Sequence, residues 1–509
     1  MNLIKSTTTF SFFTLISRIL GYFRDVLIAI HLGSGPIADA FFVAFRIPNT
    51  FRRLFSEGSF NAAFVPSYSS ELTLGKKKAQ KFANSIFNVL LIFLLILVLI
   101  IEIFMPGFVF IIAPGFNENS EKLNLTINLT RITFPFLLFV SLSSFFSAIL
   151  NSHNKFAVAA AAPIILNILL ILTLFFNHYL NDQLVFYLSY AVTLAGTIQL
   201  IFLFFFIRKY YLPKFSLNFQ LNNKVKLFFS KLLPSIFSSG VTQINILVGT
   251  IIASFQANAV SYLYYADRIY QINLAIAGIA IGTVVLPNLS KYIKSKNKEK
   301  INFIQNKSLE LSLFLSLPAT TALLIASEEI TSSLFGYGSF DLFSVKNSAK
   351  ALFYFALGLP AFALIKVFSS FLFARHNTKI PFYISLLSVI INILISIYFF
   401  SKIGFIIIPI ATTISSWINS FLLFFYLSSK KYFFFDANFI LRFLKIALST
   451  FVTSYIFYNL IMFFGENLNY DSEYKLIYIF LLVIITFVIY ILISKLTKSF
   501  KFSDIKLKY

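Results

Sequence analysis

The sequence predicts an all-α protein that crosses a membrane many times. Of its 509 residues, 58% are hydrophobic and 12% are charged, and the mean hydropathy is +0.84. Soluble domains carry about twice this share of charged residues, so the composition excludes them. Apolar runs of about 20 residues, the length of a membrane-spanning helix, recur along the whole chain.

The charges of the segments between these apolar runs predict how the chain is oriented in the membrane. Every second segment is basic, as at 76–81, 208–226, 291–300 and 495–508, and the segments between are acidic or neutral. The positive-inside rule then places both termini in the cytoplasm, which requires an even number of spans. The first run contains Arg18 and has no small-residue cleavage site, which indicates a retained helix rather than a signal peptide. The fourteen predicted spans are 8–31, 37–58, 82–104, 129–150, 158–177, 184–207, 228–254, 259–289, 308–327, 350–374, 380–400, 404–427, 440–463 and 475–495.

The chain also contains an internal repeat with an offset of 221 to 226 residues. The stretch 39–47 parallels 261–269, so that Arg46 pairs with Arg268, and Asn167 pairs with Asn392. Six spans separate the copies, so both have the same orientation in the membrane. This predicts two six-helix lobes, 1–210 and 211–430, followed by two further helices and a tail at 431–509. The paired asparagines are expected to form hydrogen bonds between helices.

Arginine is concentrated at the start of the chain. Lysine is three times more frequent overall, yet half of the ten arginines lie within the first 53 residues. A guanidinium is planar, permanently charged and able to bind phosphate or carboxylate with two hydrogen bonds. A single arginine in the middle of a span costs about 2.5–3.5 kcal/mol, so several together need a cavity, a partner or a substrate. The five are Arg18, Arg24, Arg46, Arg52 and Arg53.

The first span carries polar residues on two faces. Ser17 and Arg24 share one face, and Arg18 and Asp25 share another, with Gly21 between them as a flexible point. Two polar faces are more than a helix surrounded by lipid allows. The sequence therefore predicts that Arg18 and Arg24 face a cavity.

The second span contains three charged residues spaced by seven, Asp39, Arg46 and Arg53, which lie near one face of a helix. Pro48 is expected to kink or break this helix. A broken helix at membrane depth is tolerated where it lines a cavity.

Several of these charges have structural alternatives. Asp39 lies near a helix start and there complements the positive helix end. Arg53 and Glu57 are four residues apart, so they can neutralise each other. Arg52 and Arg53 can instead reach lipid headgroups at the cytoplasmic interface. Arg268 stands beside Asp267, and a local ion pair is the alternative there.

Other classes of protein are disfavoured. The chain has no cysteine, which excludes disulfides and thiolate metal sites, and its four histidines lack the spacing of a zinc helix. The net charge of +23 lies in alternate loops, so it predicts membrane orientation rather than nucleic-acid binding. A transferase acting on polyprenyl phosphates needs paired carboxylates for magnesium, and the nearest spacing, Asp471 and Glu473, lies in a loop predicted to face outside. No enzyme, metal or cofactor is expected.

Long motifs in these segments resemble the signature of the MurJ (MviN) family of lipid II flippases. The similarity continues in order along nearly the whole chain. The motifs lie at 17–25, 38–49, 51–60, 63–66, 131–135, 148–151, 264–268, 282–287 and 374–379.

The resemblance implies a fourteen-helix inner-membrane protein of the multidrug/oligosaccharidyl-lipid/polysaccharide exporter superfamily. Such a protein moves lipid II, the undecaprenyl-diphosphate-linked peptidoglycan precursor, from the cytoplasmic to the periplasmic leaflet by alternating access of its two lobes. Its role is in cell-wall biogenesis and cell shape. Lipid II, membrane lipids and cell-wall synthesis or division proteins are the implied partners. No cofactor is implied, and a coupling ion or the membrane potential is the expected energy source.

The resemblance also assigns roles to residues. It implies that Arg18, Arg24, Arg52 and Arg268 bind the diphosphate, and that Ser17, Asp39 and Asn49 complete the substrate site. Gating or ion-pairing roles fall to Asp25, Arg46, Arg53 and Glu57. The last two predicted spans, 440–463 and 475–495, are expected to form a groove for the polyprenyl tail.

Two alternatives remain open. An exporter of drugs or of another lipid-linked oligosaccharide has the same fold, but a drug exporter predicts an acidic or aromatic cavity rather than a basic one. A non-transporting membrane scaffold predicts that the buried charges pair locally and tolerate substitution.

Overall fold

The fold is all-α, as the composition predicts. A computed structural model describes residues 3–54, 60–176, 183–216, 223–274 and 280–499, and these residues form helices and no strands. They divide into two compact units, one up to Ser261 and one from Tyr262 onward. The lobe boundaries inferred from the repeat, at 210 and 430, stay a prediction.

The described helices of the first unit begin with a long N-terminal helix and include both long spans and short connecting helices. They are α1 Leu3–Leu32, α2 Pro36–Leu54, α3 Phe60–Thr73, α4 Lys76–Ile103, α5 Met105–Ile112, α6 Ser120–Thr133, α7 Phe136–Ser152, α8 Phe156–Phe175, α9 Leu184–Ile207 and α10 Asn223–Ala253.

The second unit has the same character, and the helix at its start begins just before the division. Its described helices are α11 Ala259–Leu274, α12 Ala280–Lys294, α13 Lys298–Ile325, α14 Ser327–Phe335, α15 Leu342–Ala356, α16 Leu359–Phe373, α17 Lys379–Ile403, α18 Ile407–Ser429, α19 Phe439–Phe463, α20 Gly465–Leu468 and α21 Lys475–Leu496.

Helices occupy the described part of every predicted span. Among the described residues, eight helical stretches are long and apolar enough to cross a membrane, and the bent pair α15 and α16 brings the number to as many as nine. Two of the eight, Ser120–Ser152 and Lys379–Ser429, each join two consecutive helices. The chain is therefore a multi-pass membrane protein. The exact number of fourteen spans stays a prediction.

Helix α2 runs without a break through Pro48, so of the expected kink or break, the break does not occur. Proline has no N–H, which leaves the carbonyl of Ala44, four residues earlier, without its helical partner. The hydroxyl of Thr133 in α6 donates to this carbonyl at 2.9 Å. A hydroxyl from a neighbouring helix thus replaces the missing bond, which is how membrane helices accommodate proline.

The two units repeat one local geometry at a constant offset of 222 residues. In the first unit, Asn84 Oδ1 accepts a hydrogen bond from the backbone N–H of Lys214 at 3.1 Å. In the second, Asn306 Oδ1 accepts one from the N–H of Asp436, also at 3.1 Å. Both offsets, 306 minus 84 and 436 minus 214, are 222. The internal repeat inferred from the sequence is supported by this shared contact.

A second pair of contacts has the same offset. The ring of His153 stacks on Tyr210 with centroids 4.3 Å apart, and the guanidinium of Arg375 lies 4.7 Å from the ring of Tyr432. In each copy of the repeat, therefore, the segment after the sixth predicted span contacts the loop between the fourth and fifth predicted spans.

Ion pairs also hold the segment before α19 in place. Arg442 in α19 donates to Asp436 Oδ2 at 2.6 Å and to the buried carboxylate of Glu310 in α13 at 2.5 Å. The hydrogen bond from Arg442 lowers the pKa of Asp436 below its ordinary value. These contacts fix the start of α19, one of the two helices expected to bind the lipid tail, onto α13.

Gly115 is required by close packing within the first unit. It lies in a short 3₁₀ turn, Pro114–Glu118, and its N–H donates to the Ser254 hydroxyl at 3.0 Å. A Cβ on Gly115 would overlap the backbone of Ser254 and Phe255. We expect Gly115→Ala to destabilise the protein by about 1–3 kcal/mol, since backbone must move to admit the methyl group.

The measurement is the thermal unfolding midpoint of purified protein in detergent. Gly107→Ala is the matched control, because nothing lies within 4 Å of a Cβ at Gly107 in α5. An unchanged midpoint for Gly115→Ala would show that this contact contributes nothing to stability.

A cationic site on the first two helices

Arg24 is the central cation of the first unit. It lies in α1 and is 6% exposed. Its Nε and Nη2 donate to Asp25 Oδ1 at 3.0 and 2.6 Å, and its Nη1 donates to Asn167 Oδ1 at 2.9 Å. The guanidinium carbon also lies 5.8 Å from the ring centroid of Phe45 in α2. Burial of this cation is therefore offset by one carboxylate, one amide and one aromatic face.

Asn167 reaches this site from α8. Its Nδ2 donates to the backbone carbonyl of Ser17 at 2.8 Å, while its Oδ1 accepts from Arg24. The predicted interhelical hydrogen bond of Asn167 is thus confirmed, and so is that of Asn392, whose Nδ2 donates to the hydroxyl of Thr412 in α18 at 3.1 Å. The sequence missed the contact between Asn167 and Arg24, although the recurrence of asparagine in both repeats was the signal that marked this position.

The other arginines of the first unit are more accessible. Arg18 is exposed on α1, one turn and a half before Arg24, whereas Arg46 and Arg53 are half-buried on α2. Near the end of α2, Arg52 Nε donates to Asn49 Oδ1 at 3.0 Å. Glu57, the predicted partner of Arg53, lies outside the described residues.

Asp39 is fully buried and belongs to a separate cluster. Its Oδ2 accepts from Lys122 Nζ at 2.6 Å, and its Oδ1 accepts from the N–H and hydroxyl of Ser261 at 2.8 and 2.6 Å. Asp39 lies in the first turn of α2, as the helix-start alternative supposed, and its carboxylate in addition binds a cation and a helix start elsewhere in the chain. Lys122 Nζ also lies 3.8 Å from the ring centroid of Phe116.

Lys122 was not predicted from the sequence. It lies near Glu118 and Glu121 in a segment expected to be an acidic external loop, so nothing in its surroundings marked it as buried. The structure places it on α6, 8% exposed. Its partner is 83 residues away along the chain.

In the second unit, Arg268 is half-buried on α11. Its Nη2 donates to the Tyr264 hydroxyl at 2.9 Å, and its guanidinium carbon lies 4.6 Å from the Tyr264 ring centroid. The neighbouring Asp267 accepts a hydrogen bond from Gln271. A guanidinium that stacks on an aromatic ring keeps N–H groups in its plane for an anion.

The comparisons with known proteins agree with the resemblance seen in the motifs. A family profile described as "Lipid II flippase MurJ" matches residues 28–492. A relative from Rickettsia prowazekii (strain Madrid E), named a probable lipid II flippase MurJ, is 38% identical over 479 residues, which are 94% of each chain. One from Burkholderia cenocepacia, named lipid II flippase MurJ, is 32% identical and covers 83% of each chain.

Solved structures give the same result. The structure described as "Lipid II flippase MurJ, inward closed conformation" superposes with a TM-score of 0.82 at 28% identity, over 96% of this chain and 98% of that one. An inward-facing multidrug resistance transporter of the MATE family has a TM-score of 0.66 at 16% identity, over 81% of this chain and 94% of that one. This second likeness concerns the fold alone.

Proposed function

Since the chain belongs to the MurJ family of lipid II flippases, we propose that its basic N-terminal helices bind the diphosphate of lipid II and carry it across the membrane. The movement is from the cytoplasmic to the periplasmic leaflet of the bacterial inner membrane, by alternating access, with both termini in the cytoplasm. The observation that carries the proposal is Arg24, a nearly buried guanidinium that its neighbours hold in one orientation.

A diphosphate cannot cross hydrocarbon unaided, because removing its hydration costs far more than any single contact returns. Charge-assisted hydrogen bonds from several guanidiniums replace that hydration while the polyprenyl tail stays in lipid. Among the described residues, the bonds to Asp25 and Asn167 use three of the five N–H groups of Arg24, which leaves one N–H on each terminal nitrogen to support this role.

The remaining site residues are proposed in the same roles as the family resemblance implies. Arg18, Arg52 and Arg268 are further ligands of the diphosphate, and Ser17 and Asn49 complete the site. The hydrogen bond from Arg52 to Asn49 supports a common role for that pair.

The gating roles rest on buried polar contacts. Asp25 is proposed to balance the charge of Arg24 when no substrate is bound. Asp39 is proposed to hold the start of α11 through Ser261. Arg46, Arg53 and Glu57 keep the gating or ion-pairing roles that the resemblance implies. Release of substrate requires that the outward state bind the diphosphate more weakly, since a site with equal affinity in both states transports nothing.

The energy source and partners follow the family. We propose that α19 and α21 hold the polyprenyl tail, that an ion or the membrane potential drives the cycle, and that cell-wall synthesis or division proteins act beside the flippase.

The test is translocation of headgroup-labelled lipid II in vesicles that contain the purified protein. We expect the protein to accelerate the loss of label to an impermeant quencher, and to bind lipid II more tightly than undecaprenyl monophosphate. Empty vesicles are the first control. Arg208→Ala, which removes an exposed arginine outside the site, is the second. Equal affinity for the two lipids, with no acceleration of translocation, would refute the proposal.

A further inference from the structure

We propose that Asn167 is a positioning residue for substrate binding, because it orients Arg24 toward the diphosphate without neutralising its charge. This inference rests on the proposed function, in which Arg24 binds the diphosphate.

The amide of Asn167 has only one orientation that fits its two partners. The backbone carbonyl of Ser17 is an acceptor only, so it must face Nδ2, and the bond between them is 2.8 Å. The guanidinium of Arg24 is a donor only, so it must face Oδ1, at 2.9 Å. Both partners lie on α1, seven residues apart, and a single side chain from α8 therefore holds Arg24 against the backbone of its own helix.

Gly21 makes room for this arrangement. It lies on α1 between Ser17 and Arg24, and a Cβ there would lie 3.6 Å from both amide atoms of Asn167. The amide of Asn167 therefore packs against α1 at Gly21, where no side chain intervenes, and Asn167 is 6% exposed. A buried hydrogen bond that is shielded from water in this way holds its partner more firmly than an exposed one.

Asn167 and Asp25 act differently on the same guanidinium. Asp25 takes Nε and Nη2 and brings a negative charge that competes with the substrate. Asn167 takes one N–H of Nη1 and brings no charge. The diphosphate can displace the carboxylate of Asp25 from Arg24. The guanidinium then keeps its orientation as long as Asn167 remains hydrogen-bonded to it.

The repeat supplies a matched control. Asn392 stands at the paired position in the second unit, where its Nδ2 donates to Thr412 and its Oδ1 accepts from Ser396, both at 3.1 Å. It is buried to the same degree, at 5% against 6%. Asn392→Ala therefore removes an interhelical amide of the same kind that is hydrogen-bonded to the hydroxyls of Thr412 and Ser396.

The experiment compares lipid II binding by the wild type, Arg24→Ala, Asn167→Ala, the double variant and Asn392→Ala. We expect Asn167→Ala to weaken lipid II binding on the order of tenfold, because a hydrogen bond to a charged group is lost. The double variant should bind no more weakly than Arg24→Ala alone, since Asn167 acts through Arg24. Asn392→Ala should bind as the wild type does.

Two outcomes overturn the inference: unchanged binding by Asn167→Ala, or losses that multiply in the double variant. A failure of the proposed function looks different, because the wild type then shows no preference for lipid II or Arg24→Ala binds normally.

If Asn167→Ala does not fold, Asn167→Asp provides the test. It has nearly the same shape and keeps an acceptor for Arg24, but it adds a second carboxylate and no longer donates to Ser17. We expect its preference for lipid II over undecaprenyl monophosphate to fall on the order of tenfold or more, while its unfolding temperature stays that of the wild type. A normal preference contradicts the inference.

Discussion

Replacing Arg24 with alanine abolishes translocation of lipid II, and this is the largest functional effect that we expect from one substitution. The variant loses the guanidinium that is proposed to bind the diphosphate. It also removes the guanidinium that is paired with the buried carboxylate of Asp25, which is 3% exposed. Removing one member of a buried pair costs about 3–5 kcal/mol, so part of the loss will be in stability.

Arg24→Lys separates the two effects. Lysine keeps the positive charge beside Asp25, but its single ammonium group lacks the planar fork that binds Asp25 and Asn167 together. We expect this variant to be nearly as stable as the wild type and to transport lipid II at least tenfold more slowly, the size of effect that loss of one charge-assisted hydrogen bond gives.

The measurement combines the vesicle assay with the thermal unfolding midpoint, and Arg208→Ala serves as the control for loss of an arginine. Full activity of Arg24→Lys would show that the site needs positive charge and nothing more. The argument from guanidinium geometry, on which the choice of arginine over lysine rests, would then be wrong.

The long apolar helices could be predicted from the sequence because each of them is defined locally. A membrane helix needs a continuous apolar run of sufficient length, and the run itself marks its ends. The predicted sixth span and the observed α9 have the same bounds, Leu184–Ile207. The continuity of α2 at Pro48, where the sequence predicted a kink or a break, depends on a distant residue. The hydroxyl that donates to the carbonyl of Ala44 belongs to Thr133, 89 residues away, and no local sequence pattern reveals this contact.

The site was predictable in part for the same reason. An arginine in an apolar run is conspicuous, so Arg24 was identified from its own span. Its partner Asn167 could be recognised only as a buried asparagine, because the contact joins residues 143 positions apart. Lys122 could not be identified, since a lysine among acidic residues resembles any solvent-exposed loop. Sequence reasoning thus found the charges that the membrane makes costly, but apart from Asp25 it did not find the groups that compensate them.

Asp39→Ala should cause the largest loss of stability among the site residues. The carboxylate is fully buried and accepts hydrogen bonds from Lys122 and from two groups of Ser261. Without it, the ammonium of Lys122 remains buried with no carboxylate bound to it. Leaving a buried charge uncompensated costs about 3–5 kcal/mol, a large part of the stability of a typical domain. We expect a lower unfolding midpoint and loss of transport.

The double variant Asp39→Leu with Lys122→Met tests whether Asp39 does more than stabilise the fold. Replacing both members of a buried ion pair by apolar residues is often neutral for stability. Most of the unfolding midpoint should therefore recover, apart from the part that the two hydrogen bonds from Ser261 contribute. If Asp39 gates the transport cycle by holding Ser261 at the start of α11, transport will not recover with it, because that contact is still missing. Recovery of both would restrict Asp39 to a structural role, and a wild-type midpoint for Asp39→Ala would show that the buried pair contributes no net stability.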